Sequence, residues 1–441
     1  MSSDDLTALA ADAYVYGFPL VFDLREVSRF TRAGLGSLPA QPFNSFSHAS
    51  ALAGPPDQFV SVNNDTIYSI AQIDLSGGPL RLDVPDTAGR YYVLQFVDAW
   101  TNNFAYVGRR ASGTAAGRYL LTPPGWKADP ADELTVIEFP TMVGSIVGRW
   151  ACGGPDDLAV ISELQAATVL TPDGQQTEAA GIPAPVAVPA ELAFYEQLRA
   201  WMQAFPPSDA DRAYQQRFAP LGLLDETTPY PECAPELVTA LTDGAAAGKQ
   251  KLESSITGGQ LPVLNGWRLT YHMFDYNVDH LGPGTIDDPK WMISDRPDGY
   301  LARALAARAG LWGNHGYEAA YPLTYVDADN DQLDGRIAYT ITFSPLPPVD
   351  AFWSLTMYDL PDFYLVDNPI GRYSVGDRTE GLRYDSDGGL TIVIQHQQPA
   401  DTSNWLPAPA APFRPILRLY QPQPAVLDGT YQVPPIRKAG R

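Results

Sequence analysis

The chain has 441 residues, with 51 acidic and 29 basic side chains and a formal net charge of −22 at pH 7. A surface this negative repels nucleic-acid phosphates and anionic lipids, so neither nucleic acid nor a membrane is an expected partner. Hydrophobic residues make up 45% of the chain, and one domain usually stops growing at roughly 250–300 residues, so two domains are expected. Frequent prolines (41) and glycines (37) beside 11% aromatic residues favour a β-rich globular protein.

Three features bear on the cellular setting. Cys152 and Cys233 are the only cysteines, too few for a disulfide scaffold and spaced unlike any zinc motif. No apolar run approaches the roughly 18–20 residues that span a bilayer. The N-terminus opens with Asp4 and Asp5 in place of a basic leader, so we expect a cytoplasmic protein.

The predicted elements, in chain order, are a helix, a β region, a linker, further helices and a second β region. The first helix, capped at Ser3 or Asp4, is expected to end or kink at Pro19. Runs of β-branched and aromatic residues separated by turn groups begin near residue 57 and return from residue 320. This order favours an α+β, β-rich fold with two β-sandwich or jelly-roll-like domains joined by a helical segment. The predicted partition is an N-terminal helix plus β-rich domain (1–172), a linker (173–190), a helical connecting segment (191–318) and a C-terminal β-sandwich domain (319–441).

Several catalytic and cofactor motifs fail on inspection. GSIVG (144–148) has its serine in the wrong place for a nucleophile elbow, and GAAAGKQ (244–250) lacks the spacing and the Ser/Thr of a P-loop. DADNDQLDG (327–335) has Gln332 where a calcium loop needs Gly, and Ala338 where it needs Glu, so a β-hairpin turn is the favoured interpretation. Without a nucleotide, flavin or haem motif, we expect no cofactor.

Two polar clusters lie beside predicted strands. In VNNDTIYS, Asp65 is the candidate general acid or base, and asparagines here and in DAWTNNF can orient a polar substrate. The alternative is that these Asn and Asp side chains only hydrogen-bond the backbone of their turns. The candidate residues of the two clusters are Asn63, Asn64, Asp65, Tyr68, Trp100, Asn102, Asn103 and Phe104.

A third cluster, YHMFDYNVDHLG, carries two of the five histidines. On a helix, His272, Asp275 and Asp279 share a face and His280 lies nearby, which suits a His/carboxylate metal site or a His–Asp acid–base pair. The alternative is ordinary surface or core histidines. Without a second metal-binding motif we predict no metal, and these four residues remain the candidate ligands if one is bound.

Several segments together resemble a known family. NNDTIYS, RYYVLQFVDAWTNNFAYVGRR, GRYLLTPPGW and VGRWACGGPDDL are similar to its N-terminal half. WGNHGYEAAYPLTY, DADNDQLDG, AFWSLTMYD, SNWLPAP and FRPILRLYQP are similar to its C-terminal half. The family is bacterial and pairs two domains known only as domains of unknown function. The resemblance covers most of residues 8–437 and implies two β-rich, jelly-roll-like domains, the C-terminal one a compact sandwich, with helices packed between them.

The resemblance implies no catalytic residue. It does imply that three segments are recurrent polar features of the family: 63–68, 100–104 and 313–321. In the last of these, His315 and Tyr317 flank Gly316 where the family usually has acidic or small residues, so this chain departs from the pattern there.

We therefore expect an enzyme that acts on a small organic molecule in a cleft between the two β domains. Hydrolase, hydratase or lyase chemistry with Asp65 as the carboxylate acid/base fits, because the missing Ser and Cys motifs disfavour an acyl-enzyme. The alternative function is non-catalytic binding of a small molecule or carbohydrate, and a homo-oligomer is left open. The aromatic residues expected to line the pocket are Tyr68, Trp100, Phe104, Trp353 and Tyr358.

Two arginines are further candidates. Arg109 and Arg149 lie in otherwise acidic surroundings, so either can pair with a carboxylate on a substrate. The alternative is that both form structural salt bridges.

Overall fold

The computed structural model describes residues 2–57, 61–127, 134–258 and 261–440. Within these ranges the chain forms two β domains with helices between them, which confirms the predicted α+β, β-rich, two-domain class. No helix in the described ranges is long and apolar enough to cross a bilayer.

The N-terminal domain contains two sheets whose residues share one hydrophobic core. Its strands are β1 (Ser45–His48), β2 (Thr66–Asp74), β3 (Leu80–Val84), β4 (Tyr92–Asp98), β5 (Asn103–Gly108), β6 (Gly117–Thr122), β7 (Thr135–Glu138), β8 (Val143–Ala151) and β9 (Val169–Pro172). One sheet has the order β1-β2-β8-β4-β5 and is antiparallel throughout, and the other has the order β7-β6-β3-β9. Every residue of β8 is buried, so both faces of this central strand are covered.

Most of the helices pack on the N-terminal domain. They are α1 (Ser3–Ala33), α2 (Leu158–Ala167), α3 (Ala193–Ala204), α4 (Asp209–Gln215), α5 (Pro235–Gly258) and α6 (Arg296–Gly310), and α5 and α6 are separated by the short strands β10 (Val263–Leu264) and β11 (Trp267–Arg268). Leu198 and Trp201 of α3 belong to the same core as the N-terminal sheets. The helices of the connecting segment therefore pack with the N-terminal domain, whereas Trp267 and Tyr271 of the same segment belong to the C-terminal core.

The first helix is longer than its sequence suggests. It begins after the cap residue Ser2, and the expected stop at Pro19 is wrong, because α1 continues through the buried Pro19 to Ala33. A proline inside a helix costs roughly 3 kcal/mol. Here the buried face, which extends to Phe30, offsets that cost.

The rejected P-loop segment has a packing role. Gly244 and Gly248 of α5 lie against α1, where an added Cβ would be 2.4 Å from the Cβ of Ala10 or 2.8 Å from that of Tyr14. These two glycines let the two helix backbones approach closely.

The C-terminal domain likewise contains two sheets, here of four strands each, ordered β12-β18-β14-β15 and β17-β16-β13-β19. Its elements are β12 (Ala319–Ala320), β13 (Tyr339–Phe343), β14 (Val349–Asp359), β15 (Ser374–Gly376), β16 (Leu390–Gln395), β17 (Trp405–Pro407), β18 (Phe413–Pro422), α7 (Pro424–Leu427) and β19 (Arg437–Lys438). Leu417 and Leu419 of β18 point into the core between these sheets. The alternate residues Arg418 and Tyr420 are also buried, on the face turned toward the N-terminal domain.

His315 is buried where the connecting segment meets β5. The hydroxyl of Tyr106 lies 3.0 Å from its Nδ1 and that of Tyr317 lies 3.1 Å away, and the rings of His315 and Tyr317 stack at 4.8 Å. Burial, and secondly the charge of Arg110, lower the pKa of His315 to about 3. The imidazole is therefore neutral near pH 7, and its Nδ1 lies within hydrogen-bond distance of both hydroxyls.

Gly244→Ala is expected to destabilise the protein by about 1–3 kcal/mol, because the new methyl group overlaps Ala10. The matched control is Gly299→Ala in α6, where the nearest atom to the added Cβ is the Ile293 carbonyl oxygen at 3.8 Å. That variant is expected to be neutral or more stable by up to about 1 kcal/mol. Urea unfolding compares the two, and a Gly244→Ala protein as stable as Gly299→Ala would contradict the close helix packing.

The buried imidazole predicts a specific acid sensitivity. Because the pKa of His315 is about 3 in the folded chain and 6.5 as its ordinary value, unfolding takes up a proton between these pH values. Its contribution to stability is present above about pH 6.5 and is lost as the pH falls. Relative to His315→Gln, the wild type is expected to lose up to about 1.4 kcal/mol of unfolding free energy per pH unit between pH 6 and 4. Denaturant titrations at several pH values measure this difference, and a constant difference would contradict a neutral, buried His315.

Candidate functional site

A cavity of about 460 Å³ lies between the two β domains. One wall comes from β2 and β8, a second from α6 and the loop after it, and a third from β18. Half-buried side chains such as Arg268 and Tyr325 stand on the wall as well, so the cavity has access to solvent. Its main apolar lining is formed by Phe274, Leu305, Ala309, Leu311, Leu323 and Ile416.

Strand periodicity explains which side chains reach the cavity. Tyr68 of β2 and Arg149 of β8 are directly paired in register, so they share one face of the N-terminal sheet. In β18, Arg414, Arg418 and Tyr420 fall at even spacing and share the face opposite the C-terminal core. The cavity therefore forms where these two sheet faces oppose one another.

Arg149 is held by neutral groups. Its Nη1 donates to Oε1 of Gln95 at 2.8 Å, and its Nη2 donates to the carbonyl of Trp312 at 2.7 Å. The Tyr68 ring lies 5.5 Å from the guanidinium carbon. Asn103, a predicted substrate-binding residue, is linked to this group because its Oδ1 accepts from Nε2 of Gln95 at 2.6 Å. Asn103 thus helps to position Arg149 from outside the cavity.

The two arginines of β18 converge on Ser61. Arg418 donates to the carbonyl of Ser61 at 2.8 Å, and Arg414 hydrogen-bonds the Ser61 hydroxyl. The guanidinium carbons of Arg414 and Arg418 lie 5.7 and 5.4 Å from the ring centre of Tyr358. Burial alone would lower the pKa of Arg418, but Tyr358, Tyr420 and Asp65 together raise it above its ordinary value. Arg418 therefore stays charged.

Asp65 lies behind the cavity wall. Its Oδ2 accepts hydrogen bonds from Oγ of Ser354 at 2.7 Å and from the hydroxyl of Tyr420 at 3.1 Å. Both donors come from the C-terminal domain, so this contact crosses the domain interface. Burial, followed by the charge of Asp65, raises the pKa of Tyr420 well above its ordinary value. The phenol of Tyr420 is therefore protonated and serves as a donor.

Asn63 and Asn64 hold the turn that presents Asp65. Oδ1 of Asn63 accepts the backbone N–H of Asp65 at 2.5 Å, and Nδ2 of Asn64 donates to the carbonyl of Ala53 at 2.5 Å. Asn63 lines the cavity, whereas Asn64 does not. Asn63 thus bonds the backbone of its own turn, and Asn64 ties that turn to the loop at Ala53.

The DAWTNNF cluster lies away from the cavity. Trp100 and Phe104 belong to the N-terminal core, and the indole N–H of Trp100 donates to the carbonyl of Phe205 at 2.9 Å. Asn102 donates through Nδ2 to Asp98 at 2.9 Å. These side chains stabilise the turn after β4 and the helices packed on it.

The predicted aromatic lining is placed differently by the structure. Of the five rings, only Tyr68 lies on the cavity wall. Trp353 alternates with Ser354 along β14 and therefore points into the C-terminal core, 4.9 Å from the ring of Phe343. Tyr358 lies behind the arginines of β18, and its hydroxyl donates to the carbonyl of Val62 at 2.6 Å.

The candidate metal ligands make separate contacts. Nδ1 of His272 is 2.6 Å from Oδ2 of Asp275, whereas Asp279 pairs with Arg296 at 2.6 Å. The backbone N–H of His280 donates to Asn277. His272 borders a second cavity of about 450 Å³, which shares wall residues with the first. Its contact with Asp275 is therefore a candidate acid–base pair that lies outside the main site.

A different acidic group has the spacing of a metal site. Three potential metal ligands converge in the described part of the chain: Asp327, Asp329 and Asp331. Nζ of Lys438 lies 3.2, 3.5 and 2.5 Å from their carboxylates, so an ammonium group stands where a cation would bind. The contact between Lys438 and the three carboxylates is compatible with a turn that has a structural role.

Arg109 contacts the C-terminal domain outside the cavity. Its Nη1 donates to the carbonyl of Asp350 at 2.6 Å and to Oε1 of Gln421 at 3.1 Å. It is therefore an interface arginine with neutral partners.

Sequence reasoning missed Arg414, Arg418 and Tyr420. The available signal was the strand FRPILRLYQP, in which polar residues recur at even spacing within an otherwise apolar run. In a strand buried on both faces, such spacing indicates a second, polar contact surface.

The sequence matches two family models, each described as a protein of unknown function: DUF1254 over residues 43–172 and DUF1214 over residues 318–424. The structure is similar to that of the VPA0106 protein from Vibrio parahaemolyticus, with a TM-score of 0.73 and 23% identity over 98% of this chain and 100% of that one, which shows a shared fold. An uncharacterized protein from Burkholderia cenocepacia gives a TM-score of 0.43 and 12% identity over 96% of this chain and 93% of that one. No curated protein matches the sequence.

Each matched region contributes residues to one wall of the cavity, and the two walls face one another. Tyr68 and Arg149 fall in the first region, and Arg414, Arg418 and Tyr420 fall in the second. The chain belongs to the two-domain family that pairs an N-terminal DUF1254 domain with a C-terminal DUF1214 domain.

Proposed function

We propose that the protein is an enzyme that acts on a small organic molecule in the cavity between its two β domains. The observation that carries the proposal is the contact between Tyr420 and Asp65. Tyr420 lies on the cavity wall, and its hydroxyl donates to Oδ2 of Asp65 at 3.1 Å. The contact couples a proton donor on the wall to a carboxylate behind it.

The pair supports general acid–base chemistry. A substrate proton can pass to the phenol oxygen of Tyr420 while the phenol proton moves to Asp65. The return transfer runs the other way: the carboxylic acid gives its proton back to the phenol oxygen while the phenol proton passes to product or water. One proton enters the pair and one leaves it, as hydratase, hydrolase or lyase chemistry requires.

The remaining wall favours direct activation of water or substrate. Among the described residues that line the cavity there is no cysteine and no histidine. A Ser–His or Cys–His nucleophile therefore does not form on this wall, and an acyl-enzyme is not the favoured route.

Non-catalytic binding of a small molecule or carbohydrate is the second candidate. It is favoured by the fact that Oδ2 of Asp65 already accepts two hydrogen bonds, from Ser354 and Tyr420, which suits a carboxylate that only joins the two domains. In that case the cavity would hold its ligand unchanged.

Substitution of Tyr420 distinguishes the two candidate functions, because only catalysis requires its proton. The wild type is incubated with pools of small metabolites, and products are followed by mass spectrometry. Asp65→Asn and Tyr420→Phe are expected to reduce turnover by at least about 100-fold while thermal unfolding stays cooperative.

Ser354→Ala is the matched control, because it also removes one hydroxyl from Oδ2 of Asp65 but lies outside the cavity wall. It is expected to change turnover less than about tenfold. Equal rates in Tyr420→Phe and Ser354→Ala would contradict the proton-transfer role. Ligands that stabilise the protein but are recovered unchanged would favour the binding candidate.

A further inference from the structure

We propose that the ligand of the interdomain cavity is an organic anion, a molecule whose carboxylate is bound by Arg149, Arg414 and Arg418 and whose apolar body packs on α6 and β18. The inference rests on the proposed function in taking this cavity as the substrate site, and it adds the chemical class of the substrate.

The described wall of the cavity is positively charged. The described residues that line the cavity include four arginines and no aspartate or glutamate. This composition is opposite to that of the chain, which carries 51 acidic and 29 basic side chains. A cationic cavity in an acidic protein repels other cations and attracts small anions.

Three of these charges are buried without an ion pair to any described residue. Arg149, Arg414 and Arg418 are 7%, 6% and 4% exposed. No carboxylate oxygen of the described residues lies within the 4.0 Å ion-pair distance of any of the three. The nearby Asp65 accepts a hydrogen bond from Tyr420, and of the three guanidinium groups its charge acts on that of Arg418. Buried charges are costly unless they are paired, and a bound anion supplies the missing charge.

Hydrogen bonds to Arg149, Arg414 and Arg418 do not neutralise their charges. The partners of the three arginines are backbone carbonyls, hydroxyls and two side-chain amides, which accept hydrogen bonds but carry no net charge. Nη1 of Arg418 and Nε of Arg414 are buried and have no hydrogen-bond partner at all. Two buried donors therefore lack a partner within the protein, and both belong to side chains that line the cavity.

The three arginines also surround one region of the cavity. Arg414 and Arg418 meet at Ser61 on the β18 side, and Arg149 faces them from β8. The charges of Arg149 and Arg418 both act on Tyr321, whose pKa is nevertheless raised because burial is the larger effect. Guanidinium groups match the planar, two-oxygen geometry of a carboxylate, which favours this head group.

The rest of the wall suits an apolar body. Leu305, Ala309 and Leu311 on one side and Ile416 on the other offer apolar surface on which the body of a ligand can pack. An aliphatic or aromatic acid therefore fits both parts of the cavity.

The test compares two ligands of the same shape and different charge. Octanoate and octanamide, and in parallel 3-phenylpropionate and 3-phenylpropanamide, are titrated into the full-length wild type by calorimetry. Each carboxylate is expected to bind at least tenfold more tightly than its amide, because hydrogen bonds between charged groups are stronger than those between neutral groups.

Variants then locate the head group. Arg418→Met is expected to weaken carboxylate binding at least tenfold and to leave amide binding within about twofold. Arg109→Met is the matched control, because Arg109 is also an interface arginine with neutral partners but lies outside the cavity. If Arg418→Met fails to fold, the wild-type carboxylate–amide comparison decides alone.

The outcomes separate this inference from the proposed function. Amides that bind as tightly as the acids, an Arg418→Met protein with unchanged affinity, or no binding by either pair at millimolar concentration would overturn the inference. Tight carboxylate binding without turnover of any acid would leave it standing and would count against catalysis. Turnover confined to neutral molecules would support catalysis and contradict the anion site.

Discussion

The structure depends on burying both faces of strand β18 at once. One face carries Leu417 and Leu419 into the C-terminal core, and the other presses Arg418 and Tyr420 toward the N-terminal sheet. Because the second face holds charged and polar groups, the domains meet through specific hydrogen bonds, such as those from Ser354 and Tyr420 to Asp65, and enclose a cavity where the faces do not touch. The relative placement of the domains and the chemistry of the cavity thus have one physical origin.

This constraint also explains how charge is distributed in an acidic chain. Most acidic side chains lie where water solvates them, whereas the interface gathers arginines against neutral carbonyls, hydroxyls and aromatic rings. Stacking on Tyr358 and hydrogen bonds to Ser61 stabilise Arg414 and Arg418 without cancelling their charge. We propose that an anionic ligand neutralises this retained positive charge, and that the site needs little rearrangement to bind it.

What could be predicted from the sequence was set by local pattern. Period-two strands, turn residues and the helical stretches gave the α+β, β-rich class, and the resemblance gave the domain pair. The positions of side chains across the domain interface depend on contacts between residues hundreds of positions apart, such as Asp65 with Tyr420. For that reason Trp100 and Trp353, predicted to line a pocket, lie in separate cores, and the arginines of β18 were not recognised.

The central claim is that the interdomain cavity is an anion site, and direct observation of an anion there tests it best. Crystals of the full chain can be soaked in sodium bromide and the bromide located by anomalous diffraction. The account predicts a bromide inside the cavity, within about 3–4 Å of a guanidinium nitrogen of Arg149, Arg414 or Arg418. Bromide bound at surface positions while the cavity contains none would contradict it.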